Sequence, residues 1–293
     1  MVQILSGKEV SRKVYSNLIP RIDSLKSQGI TPGLAVILVG ENPASKIYVN
    51  SKTKKFESLG LHSKTIHLEK SIDETELIGN IQSLNNTKDI HGILIQLPLP
   101  KQMDELKILQ LVSPDKDVDG FHPENVGLLS IGHPRFISCT PKGIMRIFDH
   151  YNIDLDGKHV VLLGRSNIVG RPMSLLTGTK KKGANATITV CHSGTKYIPD
   201  FTSSADVVIS AMGVPEFLKG KMLKKGSVVI DVGINRVEAD NEKGYRLVGD
   251  ADWNSIQENV SAATPVPGGV GPMTIAMLVE NTVEAAERNM GNT

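Results

Sequence analysis

The chain has 293 residues, of which 40% are hydrophobic and 22% are charged. This length is typical of two domains, and the composition is that of a folded globular protein rather than a disordered or collagen-like one. Lys and Arg number 33 against 31 Asp and Glu, a formal net charge of +2. Such a balance excludes the overall basic surface of many nucleic-acid-binding proteins, and we expect no nucleic-acid partner.

The same sequence argues against membranes, metals and disulfides. Its longest apolar runs are far shorter than the roughly 20 residues that cross a bilayer, and no signal peptide is recognisable, so we expect a cytoplasmic protein. Cys139 and Cys191 form no CxxC motif, and the histidines lack zinc-site spacing, so we expect no disulfide and no metal. P-loop and serine-hydrolase motifs are also absent.

Helical and strand patterns alternate from the start, which predicts an α/β protein built on parallel sheets. In the first half, helices are predicted at 6–28, from Asn42-Pro43 to about residue 60, and after a capping box at 71–74; strands are predicted at 33–40, 62–68 and 92–96. In the second half, helices are predicted at 140–152 and 272–289, and strands at 159–163, 186–191, 206–210, 227–232 and 247–249.

A turn rich in small residues, GRSNIVGRP at 164–172, follows the strand at 159–163. Such a turn lets backbone N–H groups approach a pyrophosphate at the positive end of a helix dipole. The usual G-x-G-x-x-G pattern is broken, because Ser166 takes the second glycine position and the third glycine comes one residue late, at Gly170. The turn therefore indicates either a dinucleotide site or an ordinary connection.

Charges near this turn favour a cofactor with a 2′-phosphate. NAD sites place an Asp or Glu at the end of the second strand, whereas NADP sites have Arg or a hydroxyl there. The second strand ends in Cys191, followed by Ser193 and no acid. Arg165 and Arg171 supply two guanidinium groups. If the turn binds a dinucleotide, we expect NADP; otherwise both arginines are ordinary solvent-facing residues.

Lys52 lies on the apolar side of the helix predicted after Asn42. At about 100° per residue it shares that side with Tyr48, Phe56 and Leu59. A lysine in such a stripe commonly extends its ammonium group to solvent. The alternative is a desolvated amine beside the tyrosine one turn earlier, which suits a general base or proton carrier.

Gln96 ends a buried strand and precedes the segment LPLP at 97–100. A glutamine at the carboxyl end of a parallel strand faces the edge where α/β proteins bind ligands. The same side chain could instead only hydrogen-bond loop carbonyls.

The segment DKDVDG at 115–120 resembles the opening of a calcium-binding loop. Its twelfth position is Val126 rather than Glu, and Pro123 interrupts it, so calcium binding is excluded. The carboxylates are left with two roles, hydrogen bonding to the N–H groups of a ligand or capping of the local backbone.

Six segments together closely resemble one enzyme family. They are Tyr48-x-x-x-Lys52, GILIQLPLP at 92–100, PDKDVDGF at 114–121, GRSNIVGRP at 164–172, DVGIN at 231–235 and TPVPGGVGP at 264–272. The family is the bifunctional methylenetetrahydrofolate dehydrogenase/methenyltetrahydrofolate cyclohydrolases. The resemblance covers nearly the whole chain in the family's order.

The resemblance implies two α/β domains flanking a cleft. Residues 1–145, completed by 273–293, would form a folate-binding catalytic domain to which the last helix returns, and 146–272 a Rossmann-like NADP-binding domain. It also implies a homodimer that acts on tetrahydrofolate derivatives, within the one-carbon metabolism that serves purine, methionine and histidine biosynthesis.

The resemblance further assigns site residues by position. The catalytic set is Lys52, Tyr48, Gln96 and Asp119; the folate contacts add Leu97, Pro267, Gly268 and Gly269; the NADP contacts are Gly164, Arg165, Ser166, Ser193 and Ile234. In these roles Lys52 is the catalytic lysine, Tyr48 its neighbour over the folate ring and Gln96 the group that positions the lysine. Asp119 would hold the pterin.

Elementary chemistry agrees with this assignment. Oxidation of the N–CH2–N carbon yields a cation stabilised by both nitrogens, so hydride leaves without proton transfer. Hydrolysis of that cation requires proton transfers, for which a neutral Lys52 would be the base. Another nicotinamide-dependent dehydrogenase and a non-enzymatic NADP-binding regulator remain alternatives. Neither has a reason to combine Tyr48, Lys52 and the segment at 264–272.

Overall fold

The computed structural model describes residues 1–242 and 244–291 and divides into two compact units. The six-stranded unit comprises Met1–Arg12 and Thr140–Thr274, and the three-stranded unit comprises Lys13–Cys139 and Ile275–Thr293. The two-domain α/β fold expected from the sequence is confirmed, and most of the last helix belongs with the three-stranded unit, as expected. The last two residues of the expected 273–293 segment lie outside the described residues.

The strands are β1 (Gln3–Ile4), β2 (Gly33–Val39), β3 (His62–Leu68), β4 (Gly92–Ile95), β5 (His159–Leu163), β6 (Thr187–Cys191), β7 (Val207–Ser210), β8 (Val228–Asp231), β9 (Asn235–Glu238), β10 (Tyr245–Val248) and β11 (Ala262–Ala263). The helices are α1 (Gly7–Ser27), α2 (Pro43–Ser58), α3 (Glu74–Asn86), α4 (Glu105–Leu109), α5 (Pro123–Ser130), α6 (Cys139–His150), α7 (Gly170–Gly178), α8 (Pro199–Thr202), α9 (Trp253–Ile256) and α10 (Val270–Gly291). A 3₁₀ turn covers Gly220–Met222.

The three-stranded unit is built on a parallel sheet of order β3-β2-β4. Every residue of β2 is buried, as expected of a central strand covered on both faces. The side chain of Asn42 caps α2 by accepting from Ala44 N and Ser45 N, and Pro43 is its first residue, as the sequence predicts. The capping box predicted at 71–74 is wrong, because Asp73 is the residue that caps α3.

The six-stranded unit contains a parallel sheet of order β1-β11-β8-β7-β5-β6. Strand order reverses at β5, with β6 on one side and β7 on the other. In such sheets ligands bind at the carboxyl ends of the strands beside the reversal. Strands β9 and β10 form a separate antiparallel pair; β10 overlaps the predicted strand at 247–249, whereas β9 was not predicted.

Residues Met1–Arg12 belong to the six-stranded unit, whereas the family resemblance implied that 1–145 form one domain. The physical reason is β1, whose Gln3 and Ile4 pair with Ala262 and Ala263 of β11. Within the described ranges, no helix is long and apolar enough to cross a membrane.

Candidate functional site

Lys52 is buried in the middle of α2, with 8% of its surface exposed, rather than extended into solvent. Its Nζ donates a 3.1 Å hydrogen bond to Oε1 of Gln96, the residue that follows β4. Gln96 Nε2 in turn donates to the carbonyl of Leu97 at 2.9 Å. Because the amide nitrogen of Gln96 is directed to the Leu97 carbonyl, the amide oxygen of Gln96 is the end that faces the lysine.

Asp119 lies close enough to Lys52 for each to shift the other's pKa. Burial lowers the pKa of Lys52, and the charge of Asp119 partly opposes that shift. Burial raises the pKa of Asp119, which is opposed by Lys52 and by a hydrogen bond from the Cys139 thiol. Burial thus favours the neutral amine, the form of lysine that accepts a proton.

The three carboxylates of the segment 115–120 have different surroundings. Asp115 forms an exposed ion pair with Arg135. Asp117 is buried and accepts hydrogen bonds from Phe121 N, His122 N and Asn125 Nδ2 at 2.8–3.2 Å, so it caps the local backbone. Asp119 is instead influenced by the charge of Lys52 and by the Cys139 thiol. The two roles left open by the sequence therefore fall on different residues.

Tyr48 lies one helical turn before Lys52 on α2 and is 40% exposed. Its ring is thus accessible beside the buried amine. Lys52, Gln96, Leu97, Asp119 and Tyr48 all belong to the three-stranded unit. The structure brings the first four together and places Tyr48 on the same helix as the lysine.

Pro267, Gly268 and Gly269 form a tight loop in the six-stranded unit. The carbonyl of Gly268 accepts from Lys8 N at 3.2 Å, and Gly269 N donates to Pro265 O at 2.8 Å. A Cβ at Gly269 would lie only 2.6 Å from Pro265 O, and Gly268 has a φ of +108°. The loop therefore requires glycine at both positions.

The turn after β5 is a cradle that a side chain would fill. Gly164 has a φ of +118°, and a Cβ there would lie 2.5 Å from Ala211 O. A Cβ at Gly170 would lie 2.3 Å from Gly164 O. Between them, Ser166 Oγ accepts from Val169 N at 3.1 Å. This close backbone packing before α7 is what a pyrophosphate site needs.

The side chains around this cradle fit NADP. Arg165, Ser166 and Ser193 are exposed, and Ile234 is 43% exposed. Ser193 follows the end of β6, where the chain has no acid to repel a 2′-phosphate. All five predicted contacts come after carboxyl ends of strands in the six-stranded sheet: Gly164, Arg165 and Ser166 follow β5, Ser193 follows β6 and Ile234 follows β8.

Two buried aspartates that the sequence analysis did not single out hold the loops at these strand ends. Asp231 accepts from Gly233 N, Asp250 N and Ala251 N at 2.8–2.9 Å, and burial raises its pKa to about 6. Asp250 accepts from Met212 N and Gly213 N after β7 and from Asn235 Nδ2 after β8. Only the DVGIN motif, which begins at Asp231, pointed to this network.

Cys139 and Asn281 are further residues near Lys52 that the sequence pattern did not indicate. Cys139 begins α6 beside Asp119, and Asn281 lies fully buried in α10. Asn281 stands between the polar residues Glu280 and Thr282, so the sequence pattern gave no signal that distinguished it.

A cavity of about 860 Å³ lies elsewhere, near the amino ends of the three-stranded sheet. Gly29, His62, His91 and Lys116 are among its lining residues, and none of the predicted site residues lines it. Because ligands of parallel sheets bind at the carboxyl ends of the strands, the cluster around Lys52 is the better candidate for the functional site. In the part of the chain that the structure describes, no cluster of three or more His, Cys, Asp or Glu is arranged to bind a metal.

Comparison with protein families gives two matches that together span most of the chain. Residues 5–119 match the catalytic domain of tetrahydrofolate dehydrogenase/cyclohydrolase, and residues 138–290 match its NAD(P)-binding domain. A relative from Chlorobium phaeobacteroides (strain BS1), the bifunctional protein FolD, is 50% identical over 289 residues, covering 97% of each chain.

Solved structures show the same similarity. The bifunctional enzyme FolD from Campylobacter jejuni is 47% identical, with a TM-score of 0.92 over 99% of this chain and 100% of that one. The Trypanosoma brucei N5,N10-methylenetetrahydrofolate dehydrogenase-cyclohydrolase, solved with NADP cofactor and inhibitor, is 34% identical, with a TM-score of 0.93 over 99% and 98% of the two chains.

Proposed function

The chain belongs to the tetrahydrofolate dehydrogenase/cyclohydrolase family, and from this premise we propose how its residues divide the work of two reactions. The protein oxidises 5,10-methylenetetrahydrofolate to 5,10-methenyltetrahydrofolate with NADP and then hydrolyses the product to 10-formyltetrahydrofolate. The two alternatives left by the sequence, another dehydrogenase and a non-enzymatic regulator, are set aside by the identity of relatives along nearly the full chain.

Gly164, Arg165, Ser166, Ser193 and Ile234 would hold NADP, which, when bound, supplies the acceptor for the hydride of the first reaction. The glycine cradle would let the backbone of the turn at 164–170 approach the pyrophosphate closely. The exposed Arg165 guanidinium and Ser193 hydroxyl suit the 2′-phosphate. This arrangement supports NADP over NAD.

In the oxidation, the protein's own residues have to position folate rather than transfer protons. We assign Asp119 to the N–H groups of the pterin, because its carboxylate is not used to hold the local backbone. Tyr48, with its accessible ring, would lie over the folate, and Leu97 and the loop Pro267-Gly268-Gly269 would complete the contacts.

The observation that carries the hydrolysis is the buried Lys52 amine bound to Gln96 Oε1. A neutral amine has two N–H bonds and one lone pair, and by accepting one N–H Gln96 limits the directions in which the lone pair can point. Water that attacks the methenyl carbon then gives its proton to Lys52 Nζ, and the same group can return a proton to the nitrogen that leaves.

Lys52→Met tests this assignment, because it removes the amine and keeps much of the apolar stem. We expect hydrolysis to fall by about 10²–10⁴, the usual contribution of a positioned general base. Oxidation should continue at least in part, so methenyltetrahydrofolate should accumulate. Methenyl and reduced-nicotinamide absorbance, followed together in wild type and variant, measure the two steps.

Lys54→Met is the matched control, since Lys54 is an exposed lysine on the same helix. It should leave both reactions at the wild-type rate. A Lys52→Met enzyme that hydrolyses at the wild-type rate would contradict the catalytic role. A variant that binds folate but loses both reactions equally would show that the lysine also serves the oxidation.

The protein is also proposed to act as a homodimer in the cytoplasm, in the one-carbon metabolism that supplies purine, methionine and histidine biosynthesis. The support is its family membership. Light scattering on the purified protein tests the oligomeric state directly.

A further inference from the structure

Asn281 is a fully buried amide on α10 that joins the segment leading into Asp119 to the segment leading into Cys139. Its Nδ2 donates to Val118 O at 2.7 Å and to Ile137 O at 3.0 Å, and it lies 3.8 Å from Cys139 Sγ. Both amide hydrogens are thus used on carbonyls of the chain. The side chain therefore fixes the backbone immediately before Asp119 and shortly before Cys139.

The position of the Asp119 carboxylate depends more on the backbone held by Asn281 than that of Asp117 does. The carboxylate of Asp117 is held by three donors of its own, whereas the hydrogen-bond partner found for Asp119 is the Cys139 thiol. The same thiol lies 3.5 Å from Val118 O. The direction of the Asp119 side chain consequently follows the Val118–Asp119 peptide, which Asn281 holds.

We propose that Asn281 is a positioning residue for both reactions, which holds the Asp119 carboxylate against Lys52 and in place for the pterin. This inference rests on the proposed function, in which Lys52 is the base and Asp119 the pterin contact. The amide of Asn281 acts through the peptide before Asp119 and through the segment that leads into Cys139, because its bonds to Val118 O and Ile137 O hold these two places.

The charge of Asp119 influences the pKa of Lys52, so the pH dependence of hydrolysis reports on the position of Asp119. A merely structural role of Asn281 would leave this pH dependence unchanged. The groups that act on the charge of Lys52 are Asp119 and Cys139, both of which raise its pKa against the effect of burial. If Asp119 moves away, the pKa of Lys52 falls further, and the neutral base persists to lower pH. The acid limb of the hydrolysis profile should then move to lower pH.

The experiment compares Asn281→Leu, which removes both donors, with Asp119→Asn, which removes the charge. Thr282→Val is the matched control, because Thr282 is also fully buried on α10 and its hydroxyl donates to Leu278 O of the same helix. If Asn281→Leu does not fold, Asn281→Ser, which keeps one hydrogen-bond donor, is used in its place. Folding is checked by circular dichroism and NADP affinity by titration.

For Asn281→Leu we expect the KM for folate to rise by about tenfold to 10²-fold in both reactions, because a displaced binding group weakens the interaction by about this factor. The affinity for NADP should not change. The acid limb of hydrolysis should move in the same direction as in Asp119→Asn. Because both changes act through one carboxylate, the double variant should show no further movement. Thr282→Val should change neither quantity.

The inference would be overturned if Asn281→Leu had the same acid limb in its hydrolysis profile and the same KM for folate as Thr282→Val. It would also be overturned if the acid limb of hydrolysis did not move in Asp119→Asn, because the charge of Asp119 would then have no effect on Lys52. Failure of the proposed function is a separate result, namely wild-type hydrolysis by Lys52→Met.

Discussion

Arg165 is an exposed side chain at the start of the turn after β5, and we propose that it carries most of the preference for NADP over NAD. Arg165→Ala should remove a charge-assisted contact to the 2′-phosphate, which costs about 1.5–3 kcal/mol, or roughly tenfold to a hundredfold in affinity. We expect NADP⁺ to bind more weakly by that factor while NAD⁺ binding barely changes. Titration of the variant with each cofactor measures the ratio.

Arg146→Ala is the control, since Arg146 is an exposed arginine of the same unit that lies on α6, away from the turn after β5 in sequence. It should not alter the preference between the two cofactors. Equal losses of NADP⁺ and NAD⁺ affinity in Arg165→Ala would mean that the guanidinium contacts a part common to both molecules.

The segment 115–120 shows at the residue scale what a sequence can and cannot reveal. Its pattern predicts carboxylates in a tight turn, which the structure contains. Which one caps the backbone and which faces Lys52 depends on Asn125 and Cys139, whose positions relative to the turn are set by the fold. In the same way, the bond between Lys52 and Gln96 joins residues on α2 and after β4, and only the family resemblance paired them in advance.

At the scale of single elements, the junction between β5 and α7 depends on backbone packing. Gly170→Ala would place a Cβ 2.3 Å from Gly164 O and 2.7 Å from Arg165 Cα, so the cradle must shift. We expect NADP affinity to fall at least about tenfold, because displaced N–H groups no longer converge on the pyrophosphate. Hydrolysis should be retained, since Lys52, Gln96 and Asp119 lie in the three-stranded unit.

Gly178→Ala, at the other end of α7, is the matched control. A Cβ there meets Ile188 Cγ1 at 3.4 Å, an ordinary contact, so NADP affinity should be unchanged. Equal effects of the two substitutions on NADP titrations would indicate general damage to the helix and would contradict the role of the cradle.

Helices and strands with a clear apolar run or cap residue could be predicted from the sequence. Short strands that form only by pairing with distant strands could not. The strands β3 and β5 match their predicted bounds, and the cap at Asn42 is present, because apolar runs and cap residues act locally. The two-residue strands β1 and β11 have no pattern of their own and exist only because they pair with each other and with β8. Asp73 caps α3 because a carboxylate there reaches Glu76 N.

At the scale of the whole molecule, each unit contains a buried aspartate that ties a loop together, Asp117 in one and Asp231 in the other. Burial raises the pKa of each to about 6, from a usual value of 3.8. A folded-state pKa above the unfolded value means that the folded protein binds the proton more tightly. The stability contributed by protonation is present at low pH and is lost as the pH rises through about 6.

Asp117→Asn removes this titration from the three-stranded unit. The wild type should lose about 2 kcal/mol of stability from this group between pH 4.5 and 7, and the variant should not. The variant's stability relative to wild type should therefore increase over that range, whatever its absolute value. Urea unfolding at several pH values measures the difference.

Asp206 offers the contrast of opposite sign. Its hydrogen bond with Lys224 lowers its pKa, so its contribution is lost as the pH falls, and its partial exposure makes that contribution small. Asp206→Asn should thus show a weak trend in the other direction. A difference between Asp117→Asn and wild type that is constant with pH would contradict the raised pKa.

The pairing of β1 with β11 has a consequence for the order in which the newly made chain can fold. Neither unit is continuous in sequence: one needs residues 1–12 together with 140–274, and the other needs 13–139 together with the chain from Ile275 onward. On the ribosome, the first strand must wait for its neighbour until residues 262–263 have emerged, and Val118 must wait longer for Asn281. The six-stranded unit therefore cannot be completed before residues 262–263 are made, nor the three-stranded unit before Asn281, and contacts between distant parts of the chain close last.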